Sequence, residues 1–383
     1  FGLALSVAST VVLLKALDVM LFYASQGAQF IRLDAIAYLW KQPGTSCISL
    51  PQTHRVVQLM RAVLDEAAPH VMLVTETNVP SRENLTYFGN GEDEAQLVYN
   101  FPLPPLVLHT LQTGSAGTLS RWASRLRLPS RRVTFLNFLA SHDGIGLNPA
   151  RGILRESEIE ALTERARRAG GFVSMKTNAG GTQSPYELNV NYFDALQGDG
   201  PQEAELHIRR FLAAHAILLA FEGIPAIYFH SLFGSRGWPE GVRQGGSFRA
   251  VNRERLERAA LEEALADAGS LRARVFAGMA GMLRVRAGHA CFAPQAPQRV
   301  MEMPDGMFAL RRQAPGNGEA AVCLTNVRAE PVSVELDLSG TSAAGAGRWR
   351  DLLSGREVLA RERAPVTLEA YESAWWVRED PGD

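Results

Sequence analysis

An α/β fold, with a parallel sheet of βα repeats followed by a small all-β domain, is what this sequence predicts, on three observations. Five apolar runs flanked by turn residues, at 30–34, 71–75, 95–100, 133–140 and 224–229, are continuous rather than alternating, the pattern of parallel strands covered on both faces. Amphipathic stretches at 56–67, 117–128 and 203–220 fall between them and supply the helices. From about Gln298 the texture changes to short runs, several alternating (VMEMPDGMFALRR, AAVCLTNV, VSVELDL, VTLEAYESAWWV), separated by Gly, Pro and Asn. The expected division is therefore residues 1–296 for the βα part and 297–383 for the all-β domain.

Taken in order, residues 8–27 read as a helix entering the first strand, with Gly27 as its C-terminal cap. The opening FGLALSVASTVVLL is apolar but broken at Lys15 and Asp18, too short to span a bilayer and without a basic start. The charge-rich stretch 253–274 reads as a solvated helix pair. No repeat of fixed period stands out.

The chain has 383 residues, 39 Lys+Arg against 40 Asp+Glu and a net charge of −1, which argues against a basic nucleic-acid binder. With 46% apolar and 21% charged residues, disorder, collagen and coiled coil are excluded as whole-chain descriptions. Cys47, Cys291 and Cys323 are far apart, with no spacing suited to zinc or a disulfide framework. A reducing, cytoplasmic home is expected.

The chemical signal is where three carboxylates fall. Asp34 ends FIRLD, Glu76 follows VMLVT and Asp143 follows FLASH. In a βα barrel the C-terminal strand ends converge on one mouth, so acids distant in sequence can share a pocket. A helix-capping or solvated loop role is open to each acid singly; the three together with Arg32 and His142 favour a site. Arg32 precedes Asp34 by two residues, so both side chains share a strand face, and an arginine there would keep the carboxylate ionised, as a nucleophile requires. A plain inward ion pair is the simpler alternative. His142, a neutral donor beside a charged acceptor, is suited to holding sugar hydroxyls, with a satisfied structural histidine as the alternative. Glu76, following an apolar strand, is placed where desolvation would raise its pKa toward that of a general acid. One ionised and one protonated carboxyl is the retaining glycosidase arrangement.

At these residues the chain resembles the α-amylase family, glycoside hydrolase family 13, in Arg32-Leu33-Asp34, Thr75-Glu76-Thr77-Asn78 and His142-Asp143. Longer strings (IRLDAIAYLWKQPGTS, FLNFLASHDGIG, PYELNVNYFDAL, GIPAIYFHSLFGSR) narrow the resemblance to its sucrose phosphorylase subfamily. It implies Asp34 as nucleophile, Glu76 as general acid/base and Asp143 as transition-state stabiliser, with Arg32 and His142 contacting the transferred glucose. It further implies that phosphate attacks the glucosyl-enzyme to give α-D-glucose 1-phosphate, with no metal or organic cofactor; charge and the opening stretch argue against a nucleic-acid or membrane partner, and the oligomeric state is left open.

TETNVP and Ser184-Pro185-Tyr186-Glu187 depart from the sucrose-specific pattern and resemble glucosylglycerate or sucrose 6-phosphate phosphorylases, which implies an anionic acceptor. Tyr186 and Glu187 then belong to a mobile acceptor loop, and Arg236, Arg243, Arg249 and Arg253 are candidate cations, with surface solvation as the alternative for each. Trp40 and Trp238 are candidate sugar platforms or core residues. Alternatives of another reaction or class, plain α-glucoside hydrolysis and an inactive carbohydrate-binding remnant, stay open.

Such barrels have eight βα units. The five strands here correspond by resemblance to strands four to eight, so the expected fold is a partial (β/α)8 TIM barrel, N-terminally truncated. An open sheet of this kind exposes its edges and an apolar layer, and poor solubility or inactivity is the expected consequence.

Overall fold

The computed structural model describes residues 9–178, 180–198, 204–316, 318–338, 347–360 and 363–379. The residues up to Phe101, with Arg127–Asn137, form one compact unit; Pro102–Leu126 and the residues from Phe138 onward form a second. Most of the apolar stretch that opens the chain, residues 1–8, lies outside the described residues.

The first unit is built on four parallel strands: β1 (Phe30–Leu33), β2 (Met72–Thr75), β3 (Leu97–Tyr99) and β4 (Thr134–Asn137). They pair in sequence order, with Phe30 opposite Met72, Val74 opposite Leu97 and Leu97 opposite Thr134. Four of the expected runs are thus strands, each shorter than its apolar run, and most of the flanking residues other than Asp34 stay buried. Phe138 and Leu139, for example, are 6% and 1% exposed.

Helix α1 (Thr10–Ser25) ends as expected at Gly27: its φ is +89°, its N–H bonds the Ala24 carbonyl, and the Ala28 N–H bonds that of Tyr23. This paired closure needs a left-handed residue. Helix α2 (Pro51–Ala67) starts on a proline, whose missing N–H is no loss at a first helical turn. It buries Val56, Met60 and Leu64, at helical spacing, against Leu17, Met20, Leu73 and Ala95. The remaining face of α1 is apolar and exposed at Val11, Leu14, Val19, Phe22 and Tyr23. Among the described residues of this unit β1 has β2 as its ladder partner.

The second unit departs further. The run at 224–229 is strand only over Ile224–Pro225 and becomes helical at Phe229–Leu232; Pro225 has no N–H to extend a ladder. The expected helix at 117–128 spans Gly117–Ala123, and that at 203–220 spans Ala204–Ala220. Helices Leu103–Thr113 and Glu156–Arg168 were not anticipated, nor was a three-stranded antiparallel sheet of Ile145–Gly146, Gln183–Asn189 and Phe172–Thr177. The expected solvated pair at 253–274 is half right. Arg258–Ala266 buries nothing, whereas Leu271–Gly288 buries Val275, Met279 and Met282.

Every described element from Gln298 onward is a strand. Six form one sheet, and Val332–Asp337 pairs separately with Arg363–Leu368. Fully buried Arg312 donates to the carbonyls of Ala220, Phe221, Ala293 and Ala296, so its charge meets the buried carbonyl end of helix Ala204–Ala220.

Candidate active site

Each unit gathers its own set of the expected residues. In the first, parallel pairing of β1 and β2 places Leu33 opposite Thr75, so the acids that follow leave the sheet side by side. The Arg32 guanidinium lies 2.7 Å from Asp34 Oδ1 and 3.9 Å from Glu76 Oε2. Its Cζ stands 5.8 Å from the Tyr99 ring centre. Burial raises the pKa of Tyr99, with Arg32 opposing. The Asp34 side chain is 69% exposed and that of Glu76 16%.

The backbone turns sharply after Asp34. Ala35 has φ +48°, a left-handed conformation unusual for a residue with a Cβ. There its N–H donates to Glu76 Oε2 at 2.9 Å. Backbone strain at Ala35 thus aims a donor at Glu76. Below Glu76, buried Thr77 bonds Asn84, which donates to the Tyr99 carbonyl at 2.8 Å.

In the second unit three segments converge on His142-Asp143. In a 3₁₀ helix, Phe248–Asn252, Arg249 and Asn252 are three apart and share one side, and Arg253 caps its end. Arg249 Nη1 and Arg253 Nη2 lie 2.9 Å and 3.0 Å from Asp143 Oδ1. Asn252 donates to the Asp143 carbonyl at 3.0 Å and Arg253 to that of His142 at 2.8 Å. The His142 imidazole is 3.7 Å from Asp143 and half exposed. The Tyr228 hydroxyl in turn donates to the Asn252 carbonyl.

Glu187 completes this set. It is 2% exposed, accepts from Gly144 N–H at 2.5 Å, and receives Arg249 in a fork, Nε at 3.0 Å and Nη2 at 2.8 Å. Burial lowers the Arg249 pKa, but the bonds and charge of Glu187, with Asp143, outweigh it and hold it above its ordinary value.

The segment expected as an acceptor loop is a strand, Gln183–Asn189. Within it Ser174 pairs with Glu187 but Met175 with Pro185, which makes Tyr186 the extra residue of a β-bulge, a device that re-aims a side chain.

Of the four candidate cations, two join this cluster and two are held elsewhere. Arg236 pairs with Asp194 at 2.7 Å, and exposed Arg243 with Glu240 on its own helix. Trp40 packs on the first unit's core, and the Trp238 ring lies so close to Gly241 that a Cβ there would fall 2.1 Å from it. Sequence reading missed Asn252, Tyr99, Ala35 and Gly144. For Asn252 the spacing R-x-x-N-R was a usable signal, whereas the other three depend on backbone geometry. Among the described residues no group of three or more His, Cys, Asp or Glu is arranged to hold a metal, and no helix is long and apolar enough to cross a membrane.

No family model matches the chain. It is 51% identical over 97% of its length to a glucosylglycerate phosphorylase from Allomeiothermus silvanus, and 42% identical over 95% of its length to one from Escherichia coli. It spans 63% of each, just under two thirds of those relatives. A crystal structure of sucrose 6F-phosphate phosphorylase from Thermoanaerobacter thermosaccharolyticum superposes with a TM-score of 0.73 at 19% identity, over 93% of this chain and 65% of that one. The last likeness speaks to the fold.

Proposed function

Because the chain belongs to the α-amylase family, in its sucrose phosphorylase-like branch, we propose that it carries the catalytic residues of a retaining α-glucoside phosphorylase whose donor is glucosylglycerate. The observation that carries this reading is the set Arg32, Asp34 and Glu76 at adjacent parallel strand ends, with Ala35 N–H fixed on Glu76.

Asp34 is the nucleophile, its charge stabilised by Arg32. Its carboxylate oxygen bonds the anomeric carbon as the bond to the glycerate oxygen breaks, and Glu76 gives that oxygen its proton. Phosphate then enters. Glu76, now a carboxylate, takes the phosphate proton while a phosphate oxygen displaces Asp34, giving α-D-glucose 1-phosphate. Asp143 stabilises the oxocarbenium-like transition states, His142 holds a sugar hydroxyl, and Arg253 and Tyr186 are the candidate acceptor contacts, Arg249 being taken up by Glu187 and Asp143. We assign the catalytic part to 1–296 as a partial (β/α)8 barrel, the C-terminal β domain to 297–383, and a cytoplasmic location from the three free cysteines. The glycerate carboxylate sits on the carbon bearing the glycosidic oxygen, so an anionic donor brings its charge close to Glu76, where cations are needed.

The test is glucose 1-phosphate release by the 383-residue chain from α-glucosylglycerate, sucrose and sucrose 6-phosphate, each with and without phosphate. Phosphate-dependent product from glucosylglycerate above the other two would support this donor and show that the five strands suffice for activity. Phosphate-independent glucose release would instead identify a hydrolase, and preference for sucrose 6-phosphate would replace the acceptor.

A further inference from the structure

We propose that Glu187, expected from the sequence to touch substrate, is instead a positioning residue that acts on Asp143 through Arg249. The inference rests on the phosphorylase reading and adds to it the part that sets the third acid in place.

Three observations carry it. Glu187 has almost no surface to offer a ligand, since it is 2% exposed and both its oxygens are occupied by Gly144 N–H and the Arg249 fork. A carboxylate buried to this degree is costly unless paired and hydrogen-bonded, and here the pairing is directional. Nε and Nη2 of Arg249 face Glu187, which leaves Nη1 of the same rigid plane pointing at Asp143, 2.9 Å away. A guanidinium held on one edge presents its other donor in a fixed direction, which a flexible ammonium cannot do.

The third observation is the backbone. Gly144 follows Asp143, and a Cβ on it would fall 2.5 Å from the Leu188 carbonyl and 2.7 Å from the Glu187 side chain. A glycine is therefore required for Glu187 to reach the Gly144 N–H, so Glu187 grips Asp143 twice, by the next peptide and through Arg249. Arg253 supplies a second cation to the same Oδ1 but has no such anchor; its Nε binds the His142 carbonyl.

Glu187→Gln keeps one acceptor and places an amide NH₂ against Nη2, which releases the fork. Initial rates with glucosylglycerate and phosphate are then expected to show kcat reduced on the order of 10²-fold, the scale of losing one preorganised charge contact, with KM changed less than about threefold. Because both residues act through one contact, E187Q/R249A should be no slower than R249A by more than about threefold. A crystal structure of E187Q should show Arg249 withdrawn from Asp143. R249K, which cannot serve both carboxylates, should match the E187Q loss and stands in for it if E187Q does not fold.

A rise in KM with kcat retained would make Glu187 a substrate contact and overturn the proposal, as would multiplying losses in the double variant or an Arg249–Asp143 contact that survives in E187Q. If the parent chain makes no glucose 1-phosphate, the phosphorylase reading fails, and the E187Q structure still decides the role of Glu187 by itself.

Discussion

The Asp34 cluster and the Asp143 cluster solve the same problem, holding acids at fixed positions, by different means. Around Asp34 the work is done by adjacency: two residues on one strand, a third on its hydrogen-bonded neighbour, and a single strained peptide at Ala35. Around Asp143 it is done by convergence of three segments far apart in sequence, with two guanidinium groups, an amide and a buried carboxylate. The first leaves its nucleophile candidate 69% exposed and the second holds its acid at 22%. Strand pairing alone fixes where acids emerge, whereas orienting an acid firmly takes donors from elsewhere in the fold.

That contrast can be broken most directly at Asp34. Asp34→Ala is expected to lower glucose 1-phosphate formation by at least about 10³-fold, since no covalent intermediate forms; retention of more than a few per cent of the rate would remove Asp34 from the role and leave Arg32 in a plain ion pair.

The two units should also differ in acid. His109, His207, His215 and His230 all lie in the second unit, and burial lowers the pKa of each, that of His215 to about 4. The folded state prefers the neutral ring, so this stability is fully present above the unfolded pKa near 6.5 and is lost as pH falls toward 4. For His215 alone the loss is about 3 kcal/mol. Protection factors in helix Ala204–Ala220, which divide out the intrinsic pH dependence of amide exchange, should fall between pH 7 and 4.5, and His215→Leu should flatten the dependence; an unchanged slope in that variant would move the acid sensitivity to the other three.

A smaller effect is expected from the convergent clamp. Asn252→Ala removes one donor to the Asp143 carbonyl and should slow turnover by roughly tenfold, in line with about 1 kcal/mol for one hydrogen bond. A loss as large as that for Asp34→Ala would show the clamp to be indivisible. Smallest of all, Ala35→Gly relieves the left-handed backbone at the other cluster. The gain, less the entropy a glycine brings to the unfolded chain, is expected to be under about 1 kcal/mol by urea midpoint. Destabilisation would mean that the turn is not strained.

How much of this was legible beforehand follows the same division. Arg32, Asp34 and Glu76 could be read because a strand alternates with period two and parallel neighbours keep register, so their grouping is a property of local sequence. The Schellman end at Gly27 and the strand texture after Gln298 were local in the same sense. The hairpin carrying Tyr186 and Glu187 was not, because its strands are half-buried and lack a continuous apolar run; nor was helix Leu103–Thr113, which is buried all round and shows no polar face.

The sequence by itself therefore determined which side chains leave the ends of the parallel strands, and with them the candidate nucleophile and proton donor. Only the tertiary structure decided the role of Glu187 and Arg249. Their bonds to Gly144 and Asp143 span 43 to 106 residues' separation in one direction or the other, and no periodicity in a chain encodes a contact whose closure depends on every element folded between its ends.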